Sequence, residues 1–240
     1  MTAVTARPRA SLTRQLSLFA GLAARPRTTV PAVFAEGNLL VGVAGIAVAC
    51  AVAALDTTRF ASVMSVDDLV YGPQRTPAMT FLLDALGTAR AAVVVYLVEQ
   101  VWSAVLIVTA AGPVLAWFLG ASAVHAAARI ASAGRPFGRF SVFAAYATAI
   151  ALIPSGVSTF VFEADPRASV AIVGRLITFA LVLWLGWLYY RGIVTYYAVG
   201  PSRAVTILIL AATLFYLVPG LLIVAAVVAI VTAAIALQLA

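Results

Sequence analysis

Residues 101–120 read VWSAVLIVTAAGPVLAWFLG, and no charged residue occurs from Val101 to Val124. Because an α-helix rises about 1.5 Å per residue, a run of this length crosses the roughly 30 Å hydrocarbon core of a bilayer. The run places Gly112, Ala116 and Gly120 at four-residue spacing, so one side of the helix carries little side-chain bulk. The pattern predicts a membrane-spanning helix whose small-residue stripe packs against another helix.

The composition of the whole chain agrees with this prediction. Of 240 residues, 64% are hydrophobic and 10% are charged, whereas ordinary soluble domains carry about 25% charged residues. Apolar runs at about 37–55, 101–128, 140–161, 172–191 and 204–238 predict five transmembrane helices. We expect an all-α integral membrane protein, with residues 1–10 as a disordered tail and 11–240 as one polytopic domain. Spans two and five are expected to kink at Gly112-Pro113 and Pro219-Gly220.

Two further helices are expected outside the spans. In Ser11–Ala24 the apolar side chains of Leu12, Leu16, Phe19 and Ala23 share one face, which predicts an amphipathic helix lying in the interface plane. A signal peptide is the alternative interpretation, although Arg25-Pro26-Arg27 directly follows its short apolar run. The range Met79–Val98 is interrupted by charges and is predicted to lie on the outer surface before span two.

The placement of arginine predicts the orientation. All 15 basic residues are arginines. They predominate before span one, in the loop with Arg129, Arg135 and Arg139, and in the loop from Arg191 to Arg203, while the other loops also carry acids. Because cytoplasmic loops are enriched in basic residues, the amino terminus is predicted to be cytoplasmic and the carboxyl terminus to lie on the opposite side. A prokaryotic inner or plasma membrane is the expected location.

From about Leu22 onward the chain resembles the Yip (Ypt-interacting protein) domain family of multi-span proteins. The resemblance is carried by Ala24-Arg25-Pro26-Arg27, Gly112-Pro113, His125-Ala126-Ala127-Ala128-Arg129, Gly134-Arg135-Pro136-Phe137-Gly138-Arg139-Phe140, Ala145-Tyr146, Ile153-Pro154, Leu185-Gly186-Trp187 and Arg203-Ala204. It implies a five-helix membrane domain with a cytoplasmic amino terminus. The acidic Asp-Leu-Tyr-Gly-Pro signature of eukaryotic relatives precedes their first span, whereas the similar Asp68–Pro73 here follows it.

Two groups of charged residues are candidate functional sites. On the predicted outer side, Glu99, Glu163 and Arg175 are expected to form a charge cluster, because charges near membrane depth are costly unless they pair. Separate snorkelling of each side chain to the interface is the alternative. On the predicted inner side, a surface that binds anionic lipid headgroups or an acidic partner would comprise His125, Arg129, Arg135, Arg139, Arg191 and Arg203. Ordinary topology signalling with no specific ligand is the alternative there.

No enzyme chemistry is predicted. A catalytic dyad would need Ser155 and His125 within hydrogen-bond reach, but the predicted spans place these two residues at different depths of the membrane. One histidine and one cysteine, Cys50, do not provide a metal site. No cofactor motif is present, and no nucleic-acid partner is expected. The predicted function is that of a non-enzymatic membrane protein acting through helix packing and binding of lipids, a membrane-protein partner or a second copy. A small channel or transporter that uses the broken helices is the alternative.

Overall fold

The structure, a computed structural model, describes residues 11–63, 65–67, 72, 80, 84, 96, 99–162 and 168–239. These residues form helices and their connections, and they include no strand. The helices are α1 (Leu12–Ala24), α2 (Pro26–Glu36), α3 (Leu39–Val63), α4 (Glu99–Ala110), α5 (Gly112–Ile130), α6 (Phe137–Phe162), α7 (Ala168–Tyr197) and α8 (Pro201–Leu239). The tail 1–10 and nearly all of Met79–Val98 lie outside the described residues.

Five helices are long and apolar enough to cross a membrane. They cover Leu39–Ser62, Gly112–Ile130, Phe137–Phe162, Val170–Tyr197 and Pro201–Leu221. An all-α protein with five candidate spans is therefore confirmed. Their orientation is not tested by the fold and stays a prediction.

Large apolar side chains lie exposed along these helices. Leu40 of α3 is 77% exposed, Leu176 of α7 is 62% exposed and Ile209 of α8 is 62% exposed. Soluble monomers rarely expose contiguous apolar surface on this scale, because water contact with it is unfavourable. Contact with lipid removes that cost, so the exposed surface agrees with a membrane protein.

Span two differs from its predicted range of 101–128. Helix α4 ends at Ala110, Ala111 forms a turn, and α5 begins at Gly112. The physical reason is Pro113, which has no N–H for the helical ladder and whose ring crowds the preceding turn. In α8, Pro219 lies inside the assigned helix. The bends expected at both prolines stay predictions.

The chain divides into two compact units. Unit 1 comprises Met1–Gly45, Leu115–Ala151 and Val182–Ala240, and unit 2 comprises Ile46–Val114 and Leu152–Leu181. In unit 1 every residue from 140 to 149 is buried, so this part of α6 is enclosed on all its faces. Alanine occurs repeatedly in this part of the helix, and such small residues let neighbouring helices approach closely.

Unit 2 is held by contacts between α3, α4, α6 and α7. The guanidinium of Arg59 donates to the carbonyl of Phe160 and lies over its ring, 5.0 Å from the centroid. The Ser155 hydroxyl donates to Thr178 Oγ1 at 3.4 Å. Polar side chains in this unit are thus used for packing one helix against another.

Helices α1 and α2 precede the spans and pack on each other. Helix α1 buries Gln15, Leu18 and Leu22, while Leu12 and Leu16 are 66% and 57% exposed. Of the apolar face noted in the sequence, Leu12, Leu16 and Ala23 are exposed, whereas Phe19 packs against Tyr146. The placement of this face in the membrane interface stays a prediction. Helix α2 was not predicted. Its signal was Pro26, which begins the helix with a favourable φ and lacks an N–H that would be unpaired there.

Candidate functional site

The predicted inner surface rests on a buried aromatic cluster of unit 1. The ring of Phe34 lies 4.9 Å from the rings of both Phe143 and Tyr196. Phe140 is fully buried, and its ring lies 5.5 Å from that of Tyr197. Aromatic pairs at such separations add to the stabilisation from burial. The cluster joins α2, α6 and α7, and of the predicted surface α6 carries Arg139 and α7 carries Arg191.

His125 of α5 lies at the edge of this cluster. Its Nδ1 is 3.4 Å from the hydroxyl of Tyr197, and its ring meets Phe137 edge-on at 5.3 Å. The side chain is half-buried. His125 is therefore in contact with α7 and with the start of α6, rather than projecting freely from the surface.

Two of the predicted surface arginines contact the protein itself. The guanidinium of Arg203 donates to the carbonyl of Ala131, which follows the end of α5. Arg135 lies over the ring of Tyr196 at 5.9 Å, and the Tyr196 hydroxyl donates to the carbonyl of Pro136. We call residues 131–136 the tethered loop, because side chains from α7 and α8 fasten both of its ends.

The other surface arginines differ in what they contact. Arg129 and Arg139 are exposed, and within the described part of the chain neither forms an ion pair. Arg191 is half-buried, and its Nε is shielded from solvent with no hydrogen-bond partner. The predicted arginines therefore fall into three groups. Arg129 and Arg139 are exposed without an ion pair, Arg135 and Arg203 contact the protein, and Arg191 is half-buried with its Nε unpaired.

The predicted packing stripe is occupied at one of its ends. A Cβ built on Gly120 would lie 3.2 Å from the hydroxyl of Tyr189, which itself pairs with Thr148 at 3.3 Å. Ala116 is half-buried. At Gly112 no described atom lies within 4 Å of such a Cβ. Close approach of a neighbouring helix is thus observed at Gly120.

The outer charge cluster is described only in part. Glu99 and Arg175 are both exposed, and among the residues that the structure describes no hydrogen bond or ion pair joins them. Glu163 lies outside the described residues. The cluster of the three residues stays a prediction.

A buried polar site on α1 was missed by sequence reasoning. Gln15 is 2% exposed. Its Oε1 accepts from the Tyr146 hydroxyl at 2.6 Å and from the Asn38 backbone N–H at 3.1 Å, while its Nε2 donates to the Glu36 carbonyl at 3.0 Å. Phe19 stacks on Tyr146 with ring centroids 4.3 Å apart. A glutamine in an amphipathic helix is expected to face solvent, and the only sequence signal was its spacing of three and seven residues from Leu18 and Leu22, which places all three on one face.

An exposed ion pair lies beside this polar site. The Nε and Nη2 of Arg14 donate to the two carboxylate oxygens of Glu36 at 2.7 and 3.1 Å. The hydrogen bond from Arg14 lowers the pKa of Glu36, and the same bond raises the pKa of Arg14. The pair ties the start of α1 to the end of α2.

The chain matches no protein-family model, no curated protein and no solved structure.

Proposed function

We propose that the protein is a non-enzymatic, Yip-like integral membrane protein that organises the membrane by binding anionic lipid headgroups at its predicted cytoplasmic face. The observation that carries the proposal is the pair Arg129 and Arg139. Both are exposed, lie at adjoining ends of α5 and α6, and form no ion pair among the described residues. A guanidinium binds phosphate oxygens through two parallel hydrogen bonds, so exposed arginines at headgroup height favour anionic lipids.

The threonine hydroxyls of the apolar helices support a binding function rather than transport. A water-filled cavity that reaches a polar residue inside a span would favour transport. Thr148 lies in the buried part of α6, and it is 1% exposed and paired with Tyr189. Thr109 and Thr213 bond to carbonyls of their own helices, at Val105 and Ile209. These three hydroxyls are hydrogen-bonded within the protein, which supports the scaffold function over a carrier.

Lipid retention tests the proposal. The full chain, purified in mild detergent and titrated with phosphatidylglycerol, is compared by native mass spectrometry with Arg139→Gln and with Arg175→Gln. Each variant removes one exposed arginine, but Arg175 is predicted to lie on the opposite face. We expect Arg139→Gln to weaken phosphatidylglycerol binding about fivefold, since each basic residue near an anionic surface contributes roughly 1 kcal/mol. Equal retention by Arg139→Gln and the parent chain would overturn the proposal.

Orientation is tested separately. Reporters fused at Gly134 and at Thr5 are expected on the same, cytoplasmic side. If they emerge on opposite sides, the amino-terminal arginines and the loop with Arg129, Arg135 and Arg139 do not share a leaflet, and the predicted orientation is wrong.

A further inference from the structure

A groove of unit 1 lies where the turn between α1 and α2 meets α7. It has a volume of about 390 Å³ and is lined by Ala24, Arg25, Pro26, Arg27, Thr28, Trp184 and Trp187. None of these residues belongs to the inner surface predicted from the sequence. The groove is large enough for a headgroup, and its walls differ in chemistry, with cations on the turn and indole rings on the helix.

The positive charge of the turn is not compensated within the described part of the protein. Arg25 and Arg27 are exposed, and neither forms an ion pair among the described residues. Glu36 is the one acid on α1 or α2, and both of its carboxylate oxygens are already taken by Arg14. Two guanidinium groups therefore remain available at the groove for an external anion.

The wall of α7 is aromatic and only partly buried. The rings of Trp184 and Trp187 stack with centroids 5.1 Å apart and an interplanar angle of 24°. Among the described residues neither indole N–H makes a hydrogen bond, whereas the Trp117 Nε1 donates to the Ser141 carbonyl. Tryptophan is enriched at the membrane interface, because its ring is apolar and its N–H can meet polar headgroups.

The position of the two tryptophans along α7 also agrees with a groove at the membrane interface. They follow the mostly apolar residues 176–183, of which Leu176, Phe179 and Leu183 are about 60% exposed, and they precede Arg191. The groove thus lies where the apolar helix surface gives way to charge. A soluble anion would use the arginines alone, whereas a phospholipid uses the arginines and the apolar wall together.

We infer that this groove is a binding site for one anionic phospholipid, whose phosphate pairs with Arg25 and Arg27 while its glycerol region packs on Trp184 and Trp187. The inference rests on the proposed function, lipid binding, and assigns to it a second and more specific site. A guanidinium pair holds the phosphate by charge-assisted hydrogen bonds, and the indole face adds contact with the lipid's apolar part.

Two double variants, each of which removes two positive charges, distinguish the groove from the surface of Arg129 and Arg139. Arg25→Gln/Arg27→Gln removes the groove cations, and Arg129→Gln/Arg139→Gln removes two exposed cations elsewhere. Each full-length variant is titrated with phosphatidylglycerol and with phosphatidylcholine, and bound lipids are counted by native mass spectrometry. We expect the groove variant to bind its tightest phosphatidylglycerol at least about tenfold more weakly, while the other variant keeps that first lipid and binds only the later, weaker phosphatidylglycerols less well. Phosphatidylcholine binding is expected to be the same in both.

Tryptophan fluorescence places the lipid in the groove. Phosphatidylglycerol brominated near its glycerol end should quench the tryptophan fluorescence of the parent chain. The variant Trp184→Phe/Trp187→Phe should lose most of that quenching, although Trp102 and Trp117 remain.

A charge-preserving variant separates loss of the site from loss of the fold. Arg25→Lys/Arg27→Lys keeps both positive charges and is expected to retain most of the lipid binding that the glutamine variant loses. Unchanged thermal unfolding of the groove variant provides the same control.

Each of the following four outcomes would rule out the groove as a phospholipid site. If both glutamine variants weaken the first lipid equally, binding is diffuse electrostatics and only the proposed function stands. If only Arg129→Gln/Arg139→Gln weakens it, lipid binds at the other surface alone. If neither does, the groove site and the proposed function both fail. If inorganic phosphate displaces the lipid at equal concentration, the groove selects a free anion rather than a phospholipid.

Discussion

The hydroxyl of Tyr146 donates a 2.6 Å hydrogen bond to Oε1 of Gln15, across 131 positions of the chain. Both side chains are buried, Tyr146 fully and Gln15 to within 2%. This bond fastens the amino-terminal helix α1 to α6, the most enclosed helix of unit 1. Because a buried polar group without a partner is costly, the bond also fixes the orientation in which α1 can pack.

Tyr146→Phe should lower the stability of the folded protein. The substitution keeps the ring that stacks on Phe19 but leaves Gln15 Oε1 with one donor fewer, which costs about 1–2 kcal/mol. Thermal unfolding in detergent measures the effect. Tyr216→Phe is the matched control, since Tyr216 is 72% exposed, and it should unfold as the parent does. A double-mutant cycle with Gln15→Leu should give a coupling energy above about 0.5 kcal/mol, and additive effects would count against the bond.

Gly192→Ala and Gly186→Ala should change stability in opposite directions. Both glycines lie in α7, but a Cβ on Gly192 would overlap the ring of Phe143, whereas no described atom lies within 4 Å of a Cβ on Gly186. Phe143 is fully buried and has no room to move. We expect Gly192→Ala to cost about 1–3 kcal/mol by overpacking, and Gly186→Ala to gain up to about 1 kcal/mol from helix propensity. Similar unfolding midpoints for the two variants would show that the close approach at Gly192 is absent.

The ion pair of Arg14 and Glu36 should make stability depend on acid pH. Its hydrogen bond lowers the pKa of Glu36, so folding is favoured when this carboxyl is ionised. The contribution is present above the unfolded pKa of about 4.3 and is lost as pH falls through the lower folded pKa. Unfolding of the parent should therefore depend more steeply on pH in this acid window than unfolding of Glu36→Gln. High salt should reduce the difference, because both side chains are exposed. Asp67→Asn, which removes an exposed carboxyl elsewhere, should keep the parent's slope.

Arg203→Gln should loosen the tethered loop. The guanidinium of Arg203 donates to the Ala131 carbonyl, and a hydrogen bond to a charged group contributes about 1.5–3 kcal/mol. Hydrogen exchange of peptides covering residues 128–137 should therefore become at least about tenfold faster. Arg129→Gln removes an exposed arginine without such a contact and should leave exchange unchanged. Equal protection in both variants would mean that Arg203 does not restrain the loop.

The sequence predicted most of the helical framework because the signal was long and repeated. Runs such as 140–161 exclude charge for the length of a bilayer crossing, and no soluble alternative explains them. The end of α4 at Ala110 was not predicted, because a proline does not always interrupt a helix: Pro154 and Pro219 lie inside α6 and α8. Helix α2 was harder to predict, because residues 26–36 contain two prolines and two threonines and show little helical periodicity.

The roles of polar side chains could not be predicted in the same way. Arg203 and Arg139 are both arginines in basic loops, yet Arg203 bonds to a backbone carbonyl while Arg139 is exposed. The buried role of Gln15 could not be predicted from its own helix, because its partners Asn38 and Tyr146 lie 23 and 131 residues away along the chain. The groove of Arg25 and Trp187 likewise joins segments about 160 residues apart.

The sequence by itself determined that this chain is all-helical and apolar enough for five membrane spans, because hydrophobicity and helix length are properties of contiguous residues. Only the tertiary structure decided which side chains meet, including the bond between Gln15 and Tyr146, the fastening of the tethered loop and the groove beside Trp184. Those contacts depend on how helices distant in sequence pack together. Each contact acts only over a short distance and contributes little free energy, so no local sequence pattern encodes it.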